Sequence, residues 1–330
     1  MSSAFLRRRI FALAGILLGA TSSAWSQPAA TPAWPDRPIQ LLIPYPPGGS
    51  ADLLGRPLAM KLQERLGQNV VLEYKPGAGG TVASQALARA KPDGHTLILV
   101  LAAHAINASL YPKLPYDTRK DFAPVSLVAN LPMIVAASSS LKANTIPELI
   151  AAAKAAPGKL TFGSAGNGNI THLGAYLLLH SRGLQATHVP YKGSAPALTD
   201  LVGGQTQFMT DTINSALPFI RDNRLRALAV TSLKRTSVLP EAPTLNETVM
   251  PKFEVGAWQG MLVPAKTPAD IVKRLNAEVM KALNSPDVKA KLAVQGAEPL
   301  GSTPEEYGQY IQSEIARWGQ VVKLTGASLE

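Results

Sequence analysis

Short apolar runs alternate along the chain with longer stretches in which apolar residues recur at helical spacing. In the first part, apolar runs at 39–44, 69–74 and 96–101 predict buried strands, and the segments 53–66 and 81–90 between them predict helices. Strands and helices that alternate in this way form parallel sheets with right-handed crossovers, whose loops gather at the carboxyl ends of the strands. The pattern therefore predicts an α/β fold.

The alternation resumes after about residue 125, with a helix that opens at Thr145 and carries Glu148 three residues later, as in a capping box. The remaining predicted strands are 131–138, 160–163, 187–190, 206–209, 225–231 and 255–263, and the remaining helices are 171–179, 195–202, 268–283 and 304–324. Single cores usually divide near this length, so two domains are expected. We predict the boundaries 27–128 for the first part of domain 1, 129–252 for domain 2 and 253–330 for the return part of domain 1.

Residues 1–26 have the pattern of an export signal. Arginines at 7–9 precede an apolar stretch at 10–20, which is too short to cross a bilayer core of about 30 Å. Small residues at 24 and 26 are typical of a signal-peptidase site, so we expect the mature chain to begin at Gln27. The paired arginines also fit a twin-arginine signal, which leaves the Sec and twin-arginine routes both open.

Composition excludes several classes of function. The chain has 330 residues and no cysteine, which rules out a disulfide framework, a thiolate metal site and a cysteine nucleophile. It carries 32 Lys and Arg against 22 Asp and Glu, but basic residues neither run together after the signal nor alternate with aromatic ones. We therefore expect no nucleic-acid partner. The five histidines lack a metal-binding spacing, so we expect no metal and no cofactor.

Four glycine-rich turns, each between a predicted strand and a predicted helix, are the most informative feature. They lie at 44–52, 75–81, 163–172 and 189–194. Glycine lets a ligand approach the backbone and the helix that follows offers unpaired N–H groups, so such turns suit a carboxylate or a phosphate. None contains a P-loop, a complete dinucleotide fingerprint or a nucleophile elbow. The turns indicate an anion-binding cleft, and the alternative is that they are only tight connections.

The polar candidates in and near these turns each have two interpretations. Asp52 and Asp211 either face a ligand or cap a helix. Lys192 either balances an anion or is a solvated surface residue. Tyr45 and Tyr191 either wall a pocket or cover the core.

Longer motifs in this chain resemble one family. These motifs are WPDRPI at 34–39, PYPPGGSAD at 44–52, PGAGG at 76–80, GSAGNGNITHL at 163–173, VPYKGSAPAL at 189–198 and WQGMLVPAKTP at 258–268. With the export signal, they resemble the Bug-type receptors of tripartite tricarboxylate transporters over nearly the whole mature chain. The resemblance implies a type II periplasmic-binding-protein fold, with two α/β domains around a ligand cleft, and a periplasmic receptor rather than an enzyme.

The resemblance also implies the ligand and the partner. The expected ligand is a small organic acid, whether a mono-, di- or tricarboxylate, an aromatic acid or an amino acid, held by loop amides and bridging waters. The expected partners are membrane permease subunits, and we expect a monomer. Transferred by motif, the expected contacts are Tyr45, Pro47, Gly48, Gly49, Ser50, Asp52, Ala103, His104, Ser164, Ala165, Gly166, Asn167, Gly168, Thr171, Tyr191, Lys192, Gly193, Asp211 and Thr212. Tyr74 departs from the family pattern, which usually has Asn there.

Two other functions fit the same sequence. A receptor that senses the ligand for a membrane sensor kinase would share every motif. A periplasmic hydrolase would need a nucleophile and a base, for which Ser164 and His172 are the nearby pair.

Overall fold

A mixed β-sheet runs through the computed structural model, which describes residues 34–325. Within this range, the ten strands are β1 (Ile39–Ile43), β2 (Val70–Tyr74), β3 (Thr96–Leu101), β4 (Phe122–Ser138), β5 (Thr161–Ser164), β6 (Thr187–Pro190), β7 (Phe208–Thr212), β8 (Leu225–Val230), β9 (Gly256–Pro264) and β10 (Glu298–Pro299). The predicted export signal, residues 1–26, lies outside the described residues.

The strand order divides the sheet into two halves. In the first half, β1 pairs in parallel with β2 and β3, and β3 pairs antiparallel with β9. In the second half, β5 pairs in parallel with β6 and β7. Parallel strands bring their carboxyl ends to one edge, and the turns that follow β1, β5 and β7 lie at such ends.

One long strand belongs to both halves of the sheet. Residues 122–132 of β4 pair with β9, while Met133 and the residues that follow pair with β7 and β8. Strand β9 follows the second half in sequence but lies in the first, so the chain crosses back to the first half of the sheet. The boundaries of the two domains stay a prediction.

Helices cover the sheet and begin where the strands end. They are α1 (Ser50–Leu66), α2 (Thr81–Ala88), α3 (Ala103–Leu110), α4 (Ile146–Ala155), α5 (Ile170–Ser181), α6 (Ser194–Val202), α7 (Ile213–Arg221), α8 (Leu245–Thr248), α9 (Ala269–Asn284), α10 (Pro286–Ala293) and α11 (Pro304–Thr325). Among the described residues, no helix is both long and apolar enough to cross a membrane.

Most predicted elements are confirmed, while some boundaries differ and some elements were not predicted. The strand predicted at 131–138 begins at Phe122, and the strand predicted at 206–209 becomes Phe208–Thr212. Helices α3, α7, α8 and α10 and strand β10 are absent from the prediction. The predicted cap of α4 is confirmed, because Thr145 Oγ1 accepts a hydrogen bond from the backbone N–H of Glu148.

A buried carboxylate fixes α11 against the first half of the sheet. Glu314 on α11 accepts hydrogen bonds from the indole nitrogens of Trp258 on β9, at 2.8 Å, and Trp318, at 2.9 Å. Both indoles are 1% exposed, so the carboxylate satisfies two donors that have no access to water. The helix therefore docks through a polar contact as well as apolar packing.

Candidate functional site

A cavity of about 330 Å³, including its mouth, lies between the two halves of the sheet. Its walls come from the turn after β1, the end of β3, the turn after β5, the start of α6 and the end of β7. The lining residues are Tyr45, Gly49, Ser50, Ala51, Leu101, Ala165, Asn169, Ile170, Thr171, Ser194, Asp211 and Thr212. The two halves therefore build this cavity together.

Four helices begin at this cavity. Their first residues or caps line it, namely Ser50 of α1, Asn169 before α5, Ser194 of α6 and Thr212 before α7. The first turn of a helix has N–H groups without intrahelical partners and carries partial positive charge. The caps of α1, α6 and α7 make no side-chain hydrogen bond to the backbone amides of their helices, so no cap side chain competes with a ligand for those amides.

Hydroxyl groups add neutral donors to the cavity wall. Ser50 Oγ accepts a 2.6 Å hydrogen bond from Gln259 Nε2 of β9, which leaves the hydroxyl proton of Ser50 for a ligand. Thr171 Oγ1 accepts from the backbone N–H of Ala165 at 2.8 Å and keeps its own proton in the same way. Among the described residues, no Lys or Arg lines the cavity. The arrangement suits an anion bound through backbone dipoles and hydroxyls.

Tyr45 connects the two halves at the cavity wall. Asn169 Nδ2 donates a 2.7 Å hydrogen bond to Tyr45 Oη, and that hydroxyl donates in turn to the backbone carbonyl of Gly79 at 3.3 Å. The glycine-rich turn at 75–81 thus supports Tyr45, although it does not itself line the cavity.

Asp52 holds the turn after β1 in place through contacts outside the cavity. It accepts hydrogen bonds from the backbone N–H of Gly48 at 2.8 Å and from Tyr74 Oη at 2.5 Å, and it pairs with Arg56 Nε at 2.8 Å. Burial opposes ionisation of Asp52, but these three contacts hold the pKa of its carboxyl below its ordinary value. The capping interpretation of Asp52 thus agrees with its contacts, and Tyr74, the departure from the family pattern, belongs to the same network.

Two stacked imidazoles brace the turn after β5. His188 Nε2 lies 2.6 Å from Ser164 Oγ, and His172 Nδ1 accepts a 3.1 Å hydrogen bond from the backbone N–H of Gly168. The two rings stack with centroids 3.9 Å apart. Burial lowers the pKa of His172 to about 4, and burial together with His172 lowers the pKa of His188 to about 3. Both imidazoles are therefore neutral near pH 7.

The structure does not bring together the pair that a hydrolase would need. Ser164 contacts His188, whereas His172 contacts the backbone of Gly168. Ser164 is fully buried and is not among the residues that line the cavity. The described residues also contain no group of three or more His, Asp or Glu that could hold a metal ion.

The residues expected to contact ligand fall into two groups. Those that line the cavity are Tyr45, Gly49, Ser50, Ala165, Thr171, Asp211 and Thr212. Those that do not line it are Pro47, Gly48, Asp52, Ala103, His104, Ser164, Gly166, Asn167, Gly168, Tyr191, Lys192 and Gly193. Ala103 and His104 line a smaller cavity beside Tyr45, where burial lowers the pKa of His104 to about 4.

Five lining residues were absent from the sequence expectation, namely Ala51, Leu101, Asn169, Ile170 and Ser194. Asn169 and Ser194 carried a usable signal, since each stands at a helix start directly after a glycine. Leu101 and Ile170 carried none, because an apolar side chain at the end of an element has the same pattern whether it faces a ligand or the core.

Solved structures of similar shape belong to one class of protein. The periplasmic binding protein BugD is 34% identical with a TM-score of 0.87, and the match covers 90% of this chain and 100% of that one. A Rhodopseudomonas palustris protein solved with adipate, Rpa4515, is 35% identical with a TM-score of 0.87, covering 89% and 98%. MatC from the same organism, solved with bound malate, is 35% identical with a TM-score of 0.83, covering 87% and 99%.

The class that this fold and cavity define is therefore that of periplasmic solute-binding proteins, which are receptors rather than enzymes. The family model described as tripartite tricarboxylate transporter family receptor matches residues 54–327. The chain belongs to this family, which includes the Bug proteins. The resemblance drawn from the glycine-rich motifs is confirmed.

Proposed function

We propose that this chain binds a small organic acid in the cavity between the halves of the sheet and delivers it to membrane permease subunits. The convergence of four helix N-termini on a cavity whose described lining has no cationic side chain carries the proposal. Backbone dipoles bind carboxylates well because the positive ends are fixed in place and need no reorganisation.

The expected class of ligand follows from the relatives. Adipate and malate, present in the two Rhodopseudomonas palustris structures, are dicarboxylates. A dicarboxylate would place one carboxylate at α1 and the other at α6 and α7.

Closure of two domains on the ligand is part of the proposal. The boundaries 27–128, 129–252 and 253–330 put the walls of the cavity on different domains, and β4 would be one of the connections about which they move. Ligand contacts from both sides would favour the closed form, because they are complete only there. The remaining motif residues, from Pro47 to Gly193, would then shape and close the site without all touching the acid.

A thermal-shift screen of residues 27–330 tests the proposed ligand class. The protein is refolded to remove carried-over ligand and mixed with succinate, malate, adipate, citrate, benzoate, aspartate and glutamate. A saturable rise in melting temperature with at least one acid is expected, since a ligand that binds only the folded state stabilises it. A flat response to every acid would contradict the proposed function.

Delivery to a permease needs a separate test. Purified receptor is presented with and without the acid to membranes that contain the subunits of a tripartite tricarboxylate-type permease. Ligand-dependent retention on those membranes is expected. Retention only on membranes that contain a sensor kinase would contradict the transport role and support a sensing role instead.

A further inference from the structure

Asp211 is a buried carboxyl group whose two oxygens differ in their partners. It lies near the end of β7, is 0% exposed and lines the cavity. Its Oδ1 accepts hydrogen bonds from Ser194 Oγ at 2.8 Å, from the backbone N–H of Thr212 at 2.7 Å and from Thr212 Oγ1 at 3.4 Å. Its Oδ2 is equally buried and has no hydrogen-bond partner among the described residues.

Among the residues that the structure describes, no charged side chain pairs with Asp211. Its neighbours include Ser194 at the start of α6, Thr212 before α7 and Ile134, its partner across β4. Tyr45 is the other titratable residue of the described lining, and burial raises its pKa, so it stays neutral. Burial likewise raises the pKa of Asp211 to about 7, although the hydrogen bonds from Ser194 and Thr212 oppose the shift.

A carboxylate ligand in the same cavity makes the ionised form of Asp211 still less favourable. Two negative charges a few ångströms apart in a poorly solvated site repel strongly, and one of them takes up a proton. A neutral carboxylic acid accepts hydrogen bonds at its carbonyl oxygen and donates from its hydroxyl. The observed contacts match this division, with all donors on Oδ1 and none on Oδ2.

We infer that Asp211 binds the ligand as a neutral acid, with Oδ2–H donating a hydrogen bond to a carboxylate oxygen of the ligand. When Asp211 is ionised beforehand, one proton moves from solvent to Oδ2 as the anion binds. The receptor thereby couples capture of an anion to uptake of a proton, and it discriminates against ligands that present an ammonium group at this position. The inference rests on the proposed function, since it needs a carboxylate in the cavity.

Isothermal titration calorimetry in two buffers tests the proton uptake. Adipate and malate are the first probes, followed by whichever acid of the screen binds most tightly, and each is titrated in HEPES and in Tris. Different ionisation enthalpies of the buffers report the number of protons taken up. For the wild type, affinity should fall by about tenfold for each pH unit above about pH 7, and uptake should approach one proton per ligand.

Asp211→Asn supplies an independent readout, because the amide keeps an acceptor toward Ser194 and Thr212 and a donor toward the ligand. This variant should bind the acid with little pH dependence and no proton uptake. Asp222→Asn, at an exposed position after α7, is the matched control and should behave as the wild type.

Three results would overturn the inference. Tight binding by the wild type that neither weakens nor takes up a proton well above pH 7 would show that Asp211 does not bind the ligand as a neutral acid. A loss of more than about a hundredfold in affinity for Asp211→Asn would show that the ionised form accepts a donor from the ligand. Absence of binding by every acid of the screen would overturn the proposed function and this inference with it, whereas the first two results overturn the inference alone.

Discussion

At the scale of single residues, Gly49 is the position where the ligand should approach the backbone most closely. It caps α1, lines the cavity and has an extended conformation that any residue can adopt. A Cβ built there would meet nothing closer than the carbonyl of Pro46 at 3.8 Å. A side chain at this position would therefore fill ligand space without straining the fold.

Gly49→Val should weaken acid binding by about tenfold or more, equivalent to about 1.4 kcal/mol, with little change in melting temperature. Calorimetry and thermal unfolding measure the two effects. Gly203→Val, at the exposed end of α6 and also at negative φ, is the control and should leave affinity unchanged. Equal affinities for wild type and Gly49→Val would show that the turn after β1 does not contact the ligand.

Some of the expected contacts that line the cavity lie near the carboxyl end of a strand. Tyr45 follows β1, Ser50 begins the helix after that turn, and Asp211 lies near the end of β7. They could be chosen because parallel strands present their carboxyl ends at one edge. Lys192 was chosen from charge and the family motif, yet it is exposed and does not line the cavity. Sequence alone does not show whether a residue such as Lys192 faces the cavity, because the point where a strand ends and the direction of a side chain depend on contacts with residues far along the chain.

At the scale of elements, the turn after β5 fits closely against α3. Gly168 has a left-handed conformation with φ +66, and a Cβ there would overlap the side chain of Leu110 at the end of α3. This contact joins the second half of the sheet to the first. Glycine is therefore needed both for the backbone angle and for the approach of the two elements.

Gly168→Ala should weaken acid binding and lower the melting temperature only slightly, because the added methyl group would push the turn after β5 away from α3. Adding Leu110→Ala should recover part of the lost affinity, since it removes the overlap but not the backbone strain. A double-mutant cycle by calorimetry measures the coupling. Additive losses in the double variant would show that the contact does not matter for binding.

The docking of α11 gives a prediction about stability rather than binding. Glu314→Ala leaves the indole N–H groups of Trp258 and Trp318 buried without an acceptor, which should cost about 3 kcal/mol of unfolding free energy. Glu314→Gln keeps an acceptor and should lose less. Urea unfolding measures both values, and acid affinity should not change. Similar stabilities of the two variants would contradict the role given to the carboxylate.

Elements with clear apolar runs were predicted well. The missed elements had no sequence signal that marked where they begin or end. Helix α3 follows β3 without a polar break, so the run from 96 to 110 shows no point of change. Helix α7 contains Pro218, which usually argues against a helix interior. The first part of β4 contains Pro124 and has register shifts, so its alternation is broken.

At the scale of the whole molecule, the bond between Tyr45 and Asn169 is a direct polar link across the cavity. Tyr45→Phe removes the hydroxyl and leaves the buried amide of Asn169 without that acceptor. We expect about a fivefold to tenfold loss of affinity and a less compact liganded form. Small-angle X-ray scattering with saturating acid measures the compactness, and identical radii of gyration for variant and wild type would contradict the link.

The order of strands in the sheet was only partly accessible from sequence. The order of elements suggested that the chain returns to the first domain after residue 252, and β9 lies in the first half of the sheet, but the sharing of β4 between the two halves carries no local signal. Pairing between strands more than a hundred residues apart depends on side-chain packing over the whole sheet rather than on local pattern. The cavity exists because of that long-range pairing.

A crystal structure of residues 27–330 with the acid identified by the screen tests the central claim most directly. The account predicts a carboxylate within hydrogen-bonding distance of first-turn amides of α1 and of α6 or α7, with Asp211 Oδ2 beside a carboxylate oxygen. An acid held by surface cations such as Lys192, or lying outside the cavity, would contradict it.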